Sequence, residues 1–463
     1  MGHLFINHVE AQIKPDFDVN VIDITGAQMV LCMKLSSFGW NVYDGTLSES
    51  SLSELQKDRA VRKHPSLIEF LSYAFFFPSL MTGPSYDYME FARWMDLSMF
   101  DVIHKKASGD TIVKRRIPRS GRVATKKLVQ GILWIVLWTQ ITNYISLEYA
   151  QSDKFTVELP FIVRAFYLYA LGITYRLKYY GAWTISEGAC ILSGLGFNGK
   201  YTNPKTGKTK YLWNRVQNID PWAFETGQNT HILLAAWNMN TNKWLKNYVY
   251  LRVTPKGRKP GFRSTLATFV TSALWHGTRP GYYLTFVGGA FFQSVGKLFR
   301  RNLRPIFVSA DGVTPGPYKV YYDITCFVVT QLAFGYIVQP FIILDLKPSL
   351  AMWASVYYYV HIAIAISMFL FLGPPKKYIT KALKKLQPVP LSHSEQIKID
   401  SLRLKQIKAD LDILTSQTSL GIPQPDIDHL DDEIHDAIRE MDELRADLIQ
   451  QLQDFRATHP AHR

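Results

Sequence analysis

The chain has 463 residues, 47% of them apolar and 14% aromatic, and a formal charge of +14. Its mean hydropathy of -0.04 is low for a membrane protein, but it averages a strongly polar stretch, 394–457, with blocks that carry no charge over a bilayer span's length. The basic residues stand in loops beside those blocks, which argues against nucleic acid and for a membrane surface or a phosphorylated small substrate, and three cysteines (Cys32, Cys190, Cys326) give neither a disulfide framework nor a zinc pattern.

From the amino end, residues 1–19 lack the basic segment and apolar core of a secretory signal. Residues 19–43, broken only by Asp23 and Lys34, form a first span or half-span. A charged connector, 48–63, follows, and then seventeen uncharged residues, 70–86, fewer than the ~20 a helical span needs. Between Lys105 and Lys127 nine basic residues face one acid, Asp110, which makes this a cytoplasmic loop by the positive-inside rule. A solvated loop without a ligand is expected there.

The next twenty residues, 128–147, are uncharged and carry Trp134, Trp138 and Tyr144, the pattern of a transmembrane helix with interfacial aromatics. Residues 161–180 give a second. The run 183–199 contains Gly188, Gly194, Gly196 and Gly199 and is expected as a re-entrant or cavity-lining helix. Glu187 inside it needs a partner. A salt bridge to Arg164 or Arg176 is the expected one, and a substrate contact is the alternative.

Residues 200–227 are a polar excursion. If 231–252 is one helix, Asn238 and Asn242 lie a turn apart on one face, beside Trp237 and Trp244. Such amides bond across helices or meet a substrate. Basic loops, 252–263 and 297–304, bracket the stretch 264–296, where two uncharged runs flank His276. A titratable side chain between them is costly and is a functional candidate by default. Gly277, Pro280 and Gly281 let the backbone break, which is tolerated at depth only inside protein or beside a wet cavity. The other reading is a histidine whose ring nitrogens cross-link helices; the broken helix favours the cavity.

Residues 324–344 and 348–375, the latter with His361, are the last apolar blocks, closed by Lys376, Lys377, Lys381, Lys384 and Lys385. These lysines belong on the side of the first basic loop, which requires an even number of crossings between them. Six satisfy it: 128–147, 161–180, 230–250, 264–296 as one broken crossing, 324–344 and 350–373. The expectation is an all-α, polytopic membrane domain, 1–385, and a polar cytoplasmic tail, 386–463. From Ile427 the tail shows a heptad seam of about three repeats, for a coiled coil or a hairpin with 402–414. It either recruits a helical partner or only solubilises the tail.

Two separated motifs, Trp237-Asn238-Met239-Asn240-Thr241-Asn242-x-Trp244 and Trp275-His276-Gly277-x-x-x-Gly281-Tyr282, resemble the membrane-bound O-acyltransferase family, and within it the fungal broad-specificity lysophospholipid acyltransferases. The resemblance implies His276 as the catalytic histidine and Asn238 as its partner. It also implies substrate binding by Trp275, Gly281 and Tyr282, with Glu187 and His361 as further candidates. His361 ends a run from Trp353 similar to another family signature, with Trp and Tyr where Tyr and Phe are usual. Acyl-CoA would be a co-substrate, with no cofactor and no metal, and the membrane would be that of the endoplasmic reticulum. Members usually carry more helices before the part resembling 1–40, so the resemblance implies a chain short at its amino end.

The chemistry stands without the family. A thioester is already activated, so the enzyme must hold an alcohol near the carbonyl and remove its proton. Burial disfavours an imidazolium, leaving His276 a neutral base. General-base assistance is worth ~10² to 10⁴ in rate and an amide at the oxyanion about 10² to 10³; Asn238 is placed for the latter or for the acceptor hydroxyl. No serine or cysteine stands in a nucleophile motif, so direct transfer in a ternary complex is expected. The basic loops suit the phosphates of coenzyme A. Two other readings are a lipid transporter or scramblase lined by broken helices, and an acyltransferase acting on a protein or sterol.

Overall fold

Local capping starts several helices. Ser53 and Ser66 each form a capping box with the residue three positions on, Gln56 and Glu69, and Asp220 and Asn229 accept from main-chain N–H groups of the turns they open. The computed structural model describes residues 1–13, 24–105, 111–202, 206–254, 261–312 and 314–389. The tail from 390 on, with its heptad seam, lies outside these.

The helices run, in chain order, α1 Gly2–Ile13, α2 Thr25–Gly45, α3 Glu54–Arg59, α4 Leu67–Ala74, α5 Phe77–Leu80 and α6 Tyr88–Met95, followed by an antiparallel hairpin of β1 Asp101–Lys105 and β2 Thr111–Arg115. Then come α7 Gly121–Ile141, α8 Leu147–Ala150, α9 Asp153–Glu158 and α10 Phe161–Leu192, and a second small hairpin, β3 Lys200–Thr202 with β4 Thr209–Tyr211. The remainder is α11 Pro221–Glu225, α12 Thr230–Ala236, α13 Met239–Leu245, a π-turn Lys246–Tyr250, α14 Phe262–His276, α15 Pro280–Asn302, α16 Lys319–Ile337, α17 Gln339–Ile343, α18 Leu346–Ser355, α19 Tyr359–Leu372 and α20 Lys376–Lys384. The described residues are thus predominantly helical, as expected.

Several boundaries differ from the sequence reading. The helix expected at 128–147 starts at Gly121 and ends at Ile141, so Arg122, Lys126 and Lys127 form its first turns. The basic segment before it is not all loop, because its backbone pairs from Asp101 to Arg115. Asp101 and Arg115 are bonded at 2.8 Å across this hairpin, which lowers the Asp101 pKa.

The expected span 161–180 and re-entrant run 183–199 are one 32-residue helix, α10, up to Leu192. Its glycines bring helices together. A Cβ on Gly181 would lie 2.4 Å from Ile135 Cδ1, and one on Gly131 would lie 2.6 Å from Ile185 Cγ1, so α7 and α10 touch backbone to backbone. On its other side α10 meets α16, where Leu168 and Leu171 join Tyr336, Trp353 and Val360 in a fully buried core.

The helix expected across 230–250 is broken into α12, α13 and the π-turn, with Asn238 between the first two. The apolar run 350–373 is two helices, α18 and α19, bent by 79° where Tyr357 and Tyr358 take positive φ. The stretch 264–296 is not one broken crossing. Phe262 packs on Phe291 at 5.3 Å and Phe269 on Phe286 at 6.4 Å, so α14 and α15 are antiparallel and the break at 277–279 is the tip of a hairpin. Fifteen residues of α14 rise only ~22 Å, less than the ~30 Å of a bilayer core.

Among the described residues one helix, Lys319–Ile343, is long and apolar enough to cross a membrane, and the bent α18–α19 pair is a second by the same measure. The six expected crossings are therefore not matched helix for helix. For 230–250 and 264–296 the reason is the breaks just described, and for α10 it is charge held inside the helix. Arg176 of α10 bonds Glu225 at 2.8 Å, and Arg164 reaches the Tyr357 hydroxyl at 3.2 Å. Lys34, which interrupts the first apolar block, has no exposed surface. Its ammonium donates to Tyr73 O at 3.0 Å, and to Ser79 Oγ and Tyr86 Oη at 3.2 Å, so it ties α2 to the segment 73–86 through neutral acceptors.

Candidate active site

The tip of the α14–α15 hairpin is shaped by two glycines. Gly277 takes φ +146°, and a Cβ there would approach Tyr282 Cε2 to 2.9 Å, so the turn excludes any side chain. Gly281 donates its N–H to Leu344 O at 2.7 Å. A Cβ on it would lie 2.1 Å from Pro340 O, so this residue seats the start of α15 on α17. Arg279 adds an ion pair to Asp345 at 2.9 Å.

His276 ends α14 immediately before this turn. Its ring stacks on Phe286 at 5.1 Å, meets Phe341 edge-on at 4.9 Å and lies 5.7 Å from Tyr282. The residue is half-buried. Its ring nitrogens hydrogen-bond to nothing among the described residues, and they are absent from the sealed polar atoms that lack a partner. The ring is thus walled by aromatic side chains, unbonded and still accessible. The cross-linking role expected as the alternative is therefore not the one His276 plays, although hydrocarbon rings do form its walls.

Trp275 faces the other way. It is buried, and its indole N–H donates to Met29 O at 2.9 Å while its carbonyl meets His8 Nε2 at 3.2 Å. Trp275 thereby fixes α1 and α2 against the back of the turn. His8 was not legible as part of this region, because nothing in residues 1–13 signals contact with a segment so far along the chain.

Asn238 sits at the break between α12 and α13 with φ 42° and ψ 54°, a left-handed conformation that asparagine tolerates better than most residues. It is half-buried. The neighbouring amides are committed to backbone: Asn240 donates to Val216 O at 3.2 Å and Gln217 O at 3.0 Å, and Asn242 to Leu234 O at 3.1 Å. Among the described residues the Asn238 amide makes no hydrogen bond. Of the three asparagines, it alone is unspent. The expectation that Asn238 and Asn242 share a helical face does not hold, since Asn238 precedes α13 and Asn242 is inside it.

No hydrogen bond joins Asn238 to His276. One connection between their elements is Trp244 of α13, whose ring lies 6.2 Å from Trp275. Beside Asn238, Trp237 packs on Trp183 at 5.0 Å and on Phe224 at 5.2 Å.

Glu187 and His361 are elsewhere. Glu187 is buried and pairs with Lys127 of α7 at 2.8 Å, not with Arg164 or Arg176. On α10 those arginines are many turns away, whereas Lys127 is directly opposite, beside Gly188. Asp220 lies within electrostatic range of Glu187. His361 Nδ1 is 2.7 Å from the Tyr336 hydroxyl, and its ring is 4.5 Å from Trp353, in the knot joining α16, α18 and α19. The expected site residues thus divide into a group at the hairpin tip (His276, Tyr282 and Gly281 in front, Trp275 behind), the separate Asn238, and two outliers. Phe286 and Phe341, which wall the imidazole, went unread because an isolated phenylalanine in an apolar run carries no signal.

A family model and three relatives bear on this geometry. A model of the membrane-bound O-acyltransferase family matches residues 16–339. A lysophospholipid acyltransferase of Saccharomyces cerevisiae is 52% identical over 432 residues, 91% of this chain and 67% of that protein. One of Schizosaccharomyces pombe is 45% identical over 384 residues, covering 83% and 73%. The human membrane-bound glycerophospholipid O-acyltransferase 2 is 30% identical over 399 residues, covering 86% and 73%.

Proposed function

This chain belongs to the membrane-bound O-acyltransferase family, and from that premise we propose that it transfers a fatty acyl group from acyl-CoA to the free hydroxyl of a lysophospholipid. The relatives named above support the acceptor class. The observation that carries the chemistry is His276: an accessible, unbonded imidazole at a helix break, walled by Phe286, Phe341 and Tyr282.

A free ring nitrogen of His276 takes the proton of the lipid hydroxyl as its oxygen attacks the thioester carbonyl. The amide of Asn238 donates to the oxyanion or holds the attacking hydroxyl. The carbon–sulfur bond then breaks, and the imidazolium returns the proton to the leaving thiolate, so atoms and charge balance and no acyl-enzyme forms. Trp275 holds the turn from behind, and Gly281 and Tyr282 shape the front of the site. Glu187 and His361, with their protein partners, hold the helices that surround it. We place the enzyme as a multi-pass protein of the endoplasmic reticulum membrane, with its basic loops and tail on the cytoplasmic side.

The test is acyl transfer by microsomes containing the His276→Ala chain, given labelled acyl-CoA and lysophospholipid. Loss of about 10² to 10⁴ in rate is expected, and undiminished product rejects the assignment. Protein and sterol acceptors in the same assay distinguish the other acyl-transfer reading.

A further inference from the structure

The helix α20 gathers charge of one sign on one face. It carries Lys376, Lys377, Lys381 and Lys384, with Lys385 at its C-terminal end, and no acid. At ~100° per residue the four helical lysines fall within one arc of about 140°, and all five lysines are exposed. Ile379 and Leu383, a turn apart, are half-buried and form the side that rests on the protein. Among the described residues none of the five ammonium groups has a hydrogen bond or an ion pair.

The helices beside α20 supply no counter-charge. It packs chiefly on α19 and α15. No acidic residue stands between Asp345 and Glu395, and α15 has none either; its last turn instead adds Arg300 and Arg301. Phe299 and Phe371 lie 5.8 Å apart, so the ends of α15 and α19 meet and their cations gather at one place. Like charges so placed repel unless anions come between them.

Which anion fits follows from α19. Ile362, Ile366, Phe369 and Leu372 are each more than half exposed and recur at helical spacing, a stripe that faces acyl chains in a chain of a membrane-bound family. The stripe ends at Leu372, and only Gly373, Pro374 and Pro375 separate it from Lys376. Those four steps of chain reach at most ~14 Å, and the headgroup layer is about 5 to 8 Å thick on each side of the hydrocarbon. The lysine face therefore begins at headgroup depth. Tyr378, 79% exposed, stands on the same helix, at the level where such rings concentrate.

We propose that the lysine face of α20 binds the headgroups of anionic phospholipids in the leaflet at which α19 ends. Their phosphate and carboxylate oxygens accept from the ammonium groups, while their acyl chains lie along the exposed stripe of α19. A lysine close to an anionic lipid surface contributes about fivefold in partition. The inference stands apart from the acyl-transfer reading, since it requires no turnover.

The test uses the full chain reconstituted in phosphatidylcholine vesicles with a trace of spin-labelled phosphatidylserine or, separately, spin-labelled phosphatidylcholine of the same acyl chains. The fraction of label slowed by contact with protein gives the relative affinity of the two headgroups. Wild type should prefer phosphatidylserine about fivefold. Lys376→Gln, Lys377→Gln, Lys381→Gln, Lys384→Gln and Lys385→Gln together should remove more than half of that preference, and arginine at the same five positions should keep it. A preference unchanged by glutamine, or lost equally with arginine, overturns the proposal, as does a wild type that does not distinguish the two lipids. If the glutamine variant does not accumulate, labelling of the wild type by phosphatidylserine with a photoactivatable headgroup decides: adducts within 376–386 support the site, and adducts only elsewhere overturn it. Lysines that resist amine acylation in microsomes but react freely in vesicles containing phosphatidylserine would have an acidic protein as their occupant, which also overturns it.

Discussion

Gly281→Ala adds a single methyl group to the start of α15, and its consequence is set by backbone alone. The new Cβ would lie 2.1 Å from Pro340 O, 2.7 Å from Leu344 Cα and 2.8 Å from Leu344 O. It falls roughly 1.3 Å short of the 3.4 Å at which ordinary contact begins, and no side chain can rotate away because the obstacles are main-chain atoms. Either α15 or α17 must therefore move by about an ångström, and the 2.7 Å bond from Gly281 N–H to Leu344 O is stretched or lost. Overpacking of this kind costs ~1 to 3 kcal/mol, and the lost hydrogen bond about 1 more. Tyr282 and Phe286 shift with α15, and Phe341 lies beside α15's new position, so the walls around His276 move too. A misplacement near 1 Å costs on the order of 10² in rate. Gly281→Ala should therefore reach the membrane in reduced amount, unfold at lower temperature in detergent, and retain about a hundredth of wild-type acyl transfer per folded molecule. Wild-type turnover with an unchanged melting temperature would refute the claim that this contact aligns the site.

Asn238 permits a cleaner separation of backbone from side chain. Asn238→Gly keeps the left-handed backbone at φ 42° and removes only the amide, so it should lose about 10² to 10³ in kcat with little change in stability; a glycine variant of full activity would remove Asn238 from the chemistry. For buried Glu187 and its half-buried partner Lys127 at 2.8 Å, Lys127→Met should destabilise by ~3 kcal/mol, since it strands a carboxylate, and Lys127→Met with Glu187→Gln should recover more than half. Thermal unfolding of the three proteins checks this, and a Lys127→Met protein as stable as wild type would show that another group compensates Glu187.

What was legible in the sequence is what local chemistry dictates. Gly277 and Pro280 after an uncharged run announce a break, and the break is there, with His276 at its edge. The unspent role of Asn238 was legible only as a motif. Its backbone was not, because a tryptophan–asparagine run reads as helix until the bonds that Met239 and Asn240 donate to residues 216–218 are known. Residues 161–192 were divided because glycines signal irregular backbone; Gly188 instead faces Ala124 of α7 from inside the helix, while Gly194 and Gly199, past its end, do take positive φ. Glu187 was assigned the nearest arginines in sequence, but ion pairs follow space: Arg176 had Glu225, and Lys127 was left for Glu187. The folding back of α14 on α15 was foreshadowed by the basic segments at both ends of 264–296, which place those ends on one side, a signal overridden by counting the stretch as a single crossing.

That folding back has a further consequence. Residues 262–302 leave and return on the same side of the hairpin, so exchanging them wholesale for a relative's segment would not change where the following chain emerges. Such a graft would carry the imidazole and its phenylalanine from α15 as one part, with seams to be matched at α17, α19, α12 and the π-turn, and at α1 and α2 behind Trp275.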